Sequence, residues 1–237
     1  MPKDVADLDA MLLHKDYMRL TDRLKSANTA QDVGLDLDWE QTRVFDGAGF
    51  LVAMGYMTDL WRLGSALPPP DKDQLKQSAA MMFLYQLDLI VIDGARCDDV
   101  SAPGHRRDQL VFQNQAMVQY LRALPRATRM NLGSVSLAIE AATGSGRRDD
   151  DVLCSGGMAQ MNAALAAQGD KPLPELHASP EHFGGTYAVP PAPGFKPQFV
   201  NPAVSGPRQV AARRDMPAAL TRFLTVPEDP PAPPAAK

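Results

Sequence analysis

Apolar residues recur at helical spacing over the first two-thirds of the chain. From Val5 to Ser26, the positions Leu13, Tyr17, Leu20 and Leu24 step by four, three and four, the repeat of one helical face. From about Asp38 to Leu63, Val44, Ala48, Leu51 and Gly55 form a second stripe that contains Gly47, Ala48 and Gly49. Glycines weaken a helix by about 1 kcal/mol each relative to alanine, so this pattern predicts close approach of a neighbouring helix. Pro68-Pro69-Pro70 ends the unit. A third helix is predicted from Asp71 or Lys72 to Ile92, with Asp71 as N-cap. Its broad apolar face (Leu75, Ala79, Met82, Phe83, Leu87, Ile90) marks it as the central, most buried helix.

Ser101 followed by Pro103 signals a fourth start, with Leu110, Met117, Leu121 and Leu124 inside and Pro125 as the stop. A fifth helix runs from Thr128 to about Ala142 on Leu132, Val135 and Ile139, released by Gly144 and Gly146. A short sixth spans roughly Gly156 to Gln168, with Met158, Met161 and Leu165 on one side and Gly169 as terminator.

At Lys171 the character changes, because fifteen of the 21 prolines follow it. That density opposes helices and central strands. Phe183, Tyr187, Phe195 and Phe199 are interleaved, which predicts an arm lying partly extended against the helical body, with one short helix from Asp215 to Leu224 anchored by Leu220 and Phe223. The predicted fold class is therefore all-α: an irregular antiparallel bundle or paired-helix array with a Pro-rich, mostly coil C-terminal arm. Residues 1–170 form the helical domain, 171–227 the arm, and 228–237 a tail whose composition predicts disorder.

The composition is 45% apolar and 22% charged, ordinary for a globular chain. A net charge of −4 and a pI near 5.5 give no electrostatic reason to expect nucleic acid or an anionic membrane. The longest charge-free apolar stretches are about half of the roughly 20 residues needed to cross a bilayer as a helix, so no transmembrane segment is expected. The N-terminus lacks the apolar core of a signal peptide. Export, if it occurs, implies a signal absent from this sequence.

Cys97 and Cys154 lie just outside the fourth and fifth helices. A helix of about 20 residues rises about 30 Å, and one of about 15 returns about 22 Å. The flexible 143–153 link spans the remainder, so the two sulfurs can meet at one end of the hairpin. The alternatives are two buried free thiols, or a reactive thiol at Cys154 near a helix start. A disulfide implies a periplasmic or secreted protein, and free thiols a cytoplasmic one.

The most polar concentration in the body runs from Asp93 to Asp108 and includes Arg96, His105 and Arg106. Asp93 follows an apolar run and needs a partner, which Arg96 or Arg106 can supply. Asp46 sits in a similar context, and Val44–Ala48 faintly echoes Val91–Ala95. Two such carboxylates with His105 are able to bind a metal or act as acid and base. Equally, buried carboxylates satisfy helix ends and arginines. His177, Glu181 and His182 have zinc-type side chains but lack helical spacing, because Pro180 intervenes. The 143–148 stretch lacks the strand, helix and lysine of a phosphate loop. Its Arg147-Arg148 runs into Asp149-Asp150-Asp151, which reads as a solvated linker. No metal site and no cofactor is assigned.

The function these features imply is a non-catalytic interaction or accessory protein, with a protein partner on the helical face or the Pro-rich arm, or a subunit of a larger assembly. The alternative is a small-molecule or metal-binding protein, including a hydrolase, that uses the polar cluster Asp46, Asp93, Arg96, His105 and Arg106.

Overall fold

The first apolar stripe folds as two helices rather than one. In the computed structural model, which describes residues 1–176, 186–190 and 192–227, α1 (Val5–Leu13) ends at His14 and α2 (Tyr17–Lys25) begins at once. Lys15 takes a left-handed conformation (φ 57°). Around it, Lys15 N donates to Leu12 O (3.2 Å) and Asp16 N to Met11 O (2.9 Å). This is the paired closure that stops a helix. Asp16 then caps α2 by accepting from Arg19 N.

The same device divides the second stripe into α3 (Ala30–Phe45) and α4 (Phe50–Ala66). Gly47 (φ 87°) and Gly49 (φ 88°) occupy the region open to glycine. Gly47 N donates to Val44 O and Ala48 N to Arg43 O, 3.0 and 2.9 Å. Gly47 follows the end of α3 and Gly49 opens α4, instead of easing helix contact. They also admit the linker between the later helices, since a Cβ at Gly47 would lie 2.6 Å from Gly146 C.

α4 and α5 (Asp71–Ile92) form the central hairpin, and α3 packs on the outside of α4. As expected from its broad face, α5 is the core helix: Ala79, Met82, Phe83, Leu84, Tyr85, Leu89 and Ile92 are buried. It also packs on α8 (Arg126–Thr143) and on α10 (Pro202–Leu224). By length and composition alone, the stretch Asp71–Arg96 is just apolar enough to cross a membrane. However, 78% of its most apolar window is buried inside the bundle, so its apolar side chains are already covered by protein. A 3-10 turn, Asp93–Arg96, closes the helix.

The fourth predicted helix is likewise divided, into α6 (Ser101–Gln113) and α7 (Gln115–Ala123). Asn114 interrupts the ladder, with its side-chain amide donating to Leu110 O at 2.8 Å. These two pack on α5, and α8 returns along α5 rather than against them, so that the linker after it brings Cys154 to Cys97. The two sulfurs are at disulfide distance, with Cα atoms 5.2 Å apart. α9 (Met158–Gln168) follows, and its Met158, Met161 and Leu165 remain exposed.

The C-terminal arm is more helical than its prolines suggested. Residues 198–200 do lie extended on the body: Asp98 N donates to Gln198 O, Val200 N to Arg96 O, and Phe199 packs against the core. A two-residue antiparallel pairing joins β1 (Glu175–Leu176) to β2 (Thr186–Tyr187). α10 then runs for 23 residues instead of the ten expected from Asp215. Pro202 sits in its first turn, where a missing N–H costs nothing, and Asn201 caps it. Pro207 and Pro217 both face solvent, so the carbonyls they leave unpaired can be hydrated. The inner face holds Ser205, Met216, Leu220 and Leu224 buried. His177, Glu181, His182, Phe183 and the 228–237 tail lie outside the described residues.

The ring between the two cysteines spans 57 positions. A ring of that length contributes on the order of 4 kcal/mol in the chain-entropy model, and often less when measured. Non-reducing mass spectrometry of natively sourced protein should recover Cys97 and Cys154 as one linked pair of peptides. Cys97→Ser combined with Cys154→Ser should lower the urea midpoint without changing helix content.

Candidate functional site

The end of the bundle near the two cysteines is organised around a buried arginine. The linker after α8 was expected to be solvated, yet Arg147 is 2% exposed. Its Nε donates to Asp93 Oδ2 (2.5 Å), and its Nη1 donates to Glu140 O (2.9 Å) and to Thr143 Oγ1 (2.5 Å). Nη2 donates to Glu140 Oε1. Tyr85 OH lies 3.0 Å from Thr143 Oγ1. From α10, Arg213 Nη2 donates to Glu140 Oε1 (2.9 Å) and Gln209 Nε2 to Asp93 Oδ1 (3.1 Å). Removing a charge from water is costly unless it is paired and hydrogen-bonded, and here each member has a partner. Three helices and one linker supply those partners.

The sequence-selected residues divide between different tasks. Asp93 is buried in this network with Arg147, and Arg96 approaches it to 3.9 Å. Asp46 caps α3 and pairs with Arg43 at 2.8 Å on the exposed side. Arg106 turns away from both, donating to Val152 O (2.9 Å), Ser155 O (3.2 Å) and Gln109 Oε1 (2.8 Å). It therefore holds the loop that carries Cys154. His105 is exposed beside Gly156. The two echoed segments, Val44–Ala48 and Val91–Ala95, both end helices that border the linker. Gly146 presses on Asp46 O, and Arg147 binds Asp93. Three residues after Arg147, Asp150 caps α4 from a distance, its Oδ2 accepting from Phe50 N at 2.7 Å.

A second polar constellation has the opposite character. Between α2, α3 and α4 lies a cleft of about 110 Å³, walled by Leu20, Leu24, Leu51, Val52 and Met54. Glu40 and Asp59 also line it, with exposed Lys25 and Thr58 at the rim. Glu40 is wholly buried, and neither of its oxygens has a hydrogen-bond partner. Asp59 pairs through Oδ1 with Arg62 at 3.2 Å, while its Oδ2 is unpartnered. Burial, together with the charges of Asp59 and Asp36, pushes Glu40 well above the usual carboxylate range, and Arg62 opposes the shift. Burial likewise raises Asp59 to about 6. Gly55 makes room for Glu40, since a Cβ there would stand 2.5 Å from Oε1.

Sequence reasoning missed Glu40, Asp59, Asp88, Glu140 and Arg147. A signal existed for two of them. Glu40 falls between Leu37 and Val44 on the buried face of α3, and Asp88 interrupts the run Phe83–Ile92. An acid on an apolar face is a functional or electrostatic candidate by position alone. Glu140 and Arg147 carry no such mark, because nothing local shows that a post-helical arginine is buried. Among the described residues, no group of three or more His, Cys, Asp or Glu is arranged to hold a metal. Comparison of the chain with protein-family models, with curated proteins and with solved structures gives no match.

Asp88 is fully buried, and burial pushes it up to about 8, with Ser136 beside it opposing the shift. The folded form therefore holds a proton that an unfolded aspartate releases near about pH 4. Its contribution to stability is complete below about pH 4 and is lost progressively up to about pH 8, at most ~1.4 kcal/mol per unit. Asp88→Asn should flatten this decline and be more stable than the parent at about pH 8, as read from urea midpoints across the range. Arg147→Met leaves Asp93 and Glu140 without their shared buried partner and should cost about 3–5 kcal/mol, measured by the same method.

Proposed function

We propose that this chain is a non-catalytic accessory protein that binds a small, largely apolar molecule in the cleft between α2, α3 and α4. The observation that carries this reading is Glu40, wholly buried and unpartnered at the wall of an open apolar cleft. A buried polar group without a partner costs about 1–3 kcal/mol, and a bound molecule removes that cost. In the neighbouring Arg147 network every charge already has its partner, which supports a structural role for that end of the bundle. The cysteine pair at disulfide distance supports work in an oxidising compartment, periplasmic or extracellular.

The test is a thermal-shift screen of small apolar compounds carrying one polar group. A ligand at one hundred times its Kd stabilises by about 2.7 kcal/mol, a clear rise in Tm. Leu51→Trp, which fills the cleft from a half-buried wall position, should abolish the rise while leaving helix content intact. A screen in which no compound raises Tm overturns the reading.

A second reading, a protein partner, is favoured by the exposed stripe on α9. Met158, Met161 and Leu165 are 58%, 42% and 43% exposed, and Ala164 is that helix's one buried residue among those described. Leu165→Glu should leave Tm unchanged and abolish assembly with the partner that accompanies the native protein. Unchanged assembly removes the stripe from consideration.

A further inference from the structure

Taking the cleft as the binding site, as proposed above, we infer that its ligand is a small primary amine whose ammonium group docks on Glu40 and Asp59. Three carboxylate oxygens around the cleft lack partners: both oxygens of Glu40 and Oδ2 of Asp59. A primary ammonium carries three N–H donors and no acceptor, which matches that set in number and in kind. A guanidinium brings five donors and would leave some unmet. A hydroxyl supplies one donor.

The charges agree. With both acids ionised, Glu40 and Asp59 face one nearby cation, Arg62, which is bound to Asp59. Asp36, also on α3, is already held by Arg23 at 3.0 Å. Lys25, from α2, stands exposed at the rim where solvent screens it. Tyr56 on α4 accepts from Gln41 and remains neutral. One negative charge is thus unmatched, and burial favours the protonated form of Glu40 in the free protein. A monocation takes the place of that proton, which leaves to solvent on binding. A cleft of about 110 Å³ is smaller than the 150 Å³ cavity that accepts benzene, so the occupant has a body of roughly four to six non-hydrogen atoms. Leu20, Leu24, Leu51 and Val52 would cover its hydrocarbon part. A metal ion fits less well, since two carboxylates are fewer protein ligands than a metal site commonly takes, and no group of three or more His, Cys, Asp or Glu that could hold one occurs among the described residues.

Isothermal titration of the full chain with isopentylamine, and with the neutral isostere isopentanol, tests the inference. At about pH 8 the amine should bind, with isopentanol at least ~30-fold weaker, the scale of a desolvated charge pair. Binding should release a proton, seen as a heat that depends on the buffer's ionisation enthalpy, and should weaken toward about pH 6 as Glu40 holds its proton more firmly. Glu40→Gln should reduce amine affinity by at least ~30-fold and leave isopentanol unaffected. Asp59→Asn, which keeps the larger part of the site, should reduce it by about tenfold. Equal binding of amine and alcohol, or amine binding unchanged in both variants, overturns the amine inference and leaves the cleft reading standing. Failure of both probes, together with an empty thermal-shift screen, overturns both.

Discussion

The structure depends on placing one arginine side chain away from water. The Arg147 network is complete only when four separate pieces of chain are in position: the end of α5 with Asp93, the last turns of α8 with Glu140 and Thr143, the linker that carries the arginine, and α10, whose Arg213 and Gln209 donate to Glu140 and Asp93. Without Asp93 or Glu140 the buried guanidinium would lose a charge partner, and without α10 the two carboxylates would lose Gln209 and Arg213. The penalty for an unpaired buried ion is a large fraction of a domain's net stability. The network therefore acts as an all-or-none condition on how the helices assemble at this end.

The rest of that end follows from the linker's position. Gly146 must approach the backbone of Asp46, which requires a glycine at 47 as well, and Asp150 then reaches the first N–H groups of α4. Arg106 secures the following loop through two carbonyls, and Cys154 arrives opposite Cys97. Cys97 is in turn strand-paired to Phe199, the start of the path into α10. Covalent, ionic and backbone links thus converge on the same few residues.

The two groups of buried carboxylates contrast in a way that bears on function. Asp93 and Glu140 are saturated with donors. Glu40 and the outer oxygen of Asp59 have none, although the protein keeps a glycine at 55 that gives the Glu40 carboxyl its space. Asp88 is a buried acid too, so it is their position at a cleft that sets Glu40 and Asp59 apart. The apolar stripe of α9 is a similar unfilled surface at larger scale, open to solvent along one side of the helix.

The helical class, the central place of α5 and the meeting of the cysteines were all legible in the chain, because each follows from period and length. Helix periodicity needs only neighbours in sequence, and an up-and-down path of known rise brings its ends together. The divisions at Lys15, Gly47 and Asn114 were not legible, since the apolar stripe continues across each and only the backbone geometry shows the turn. The helix through Pro207 and Pro217 was hidden for a related reason. A proline's cost depends on whether the carbonyl it frees faces water, and that is a property of where α10 docks. Likewise, sequence marked Asp93 as needing a partner but offered Arg96 and Arg106 for the role. Arg96 does approach it to 3.9 Å, but tertiary structure adds the closer Arg147 from 54 positions away, because only packing decides which guanidinium loses its water.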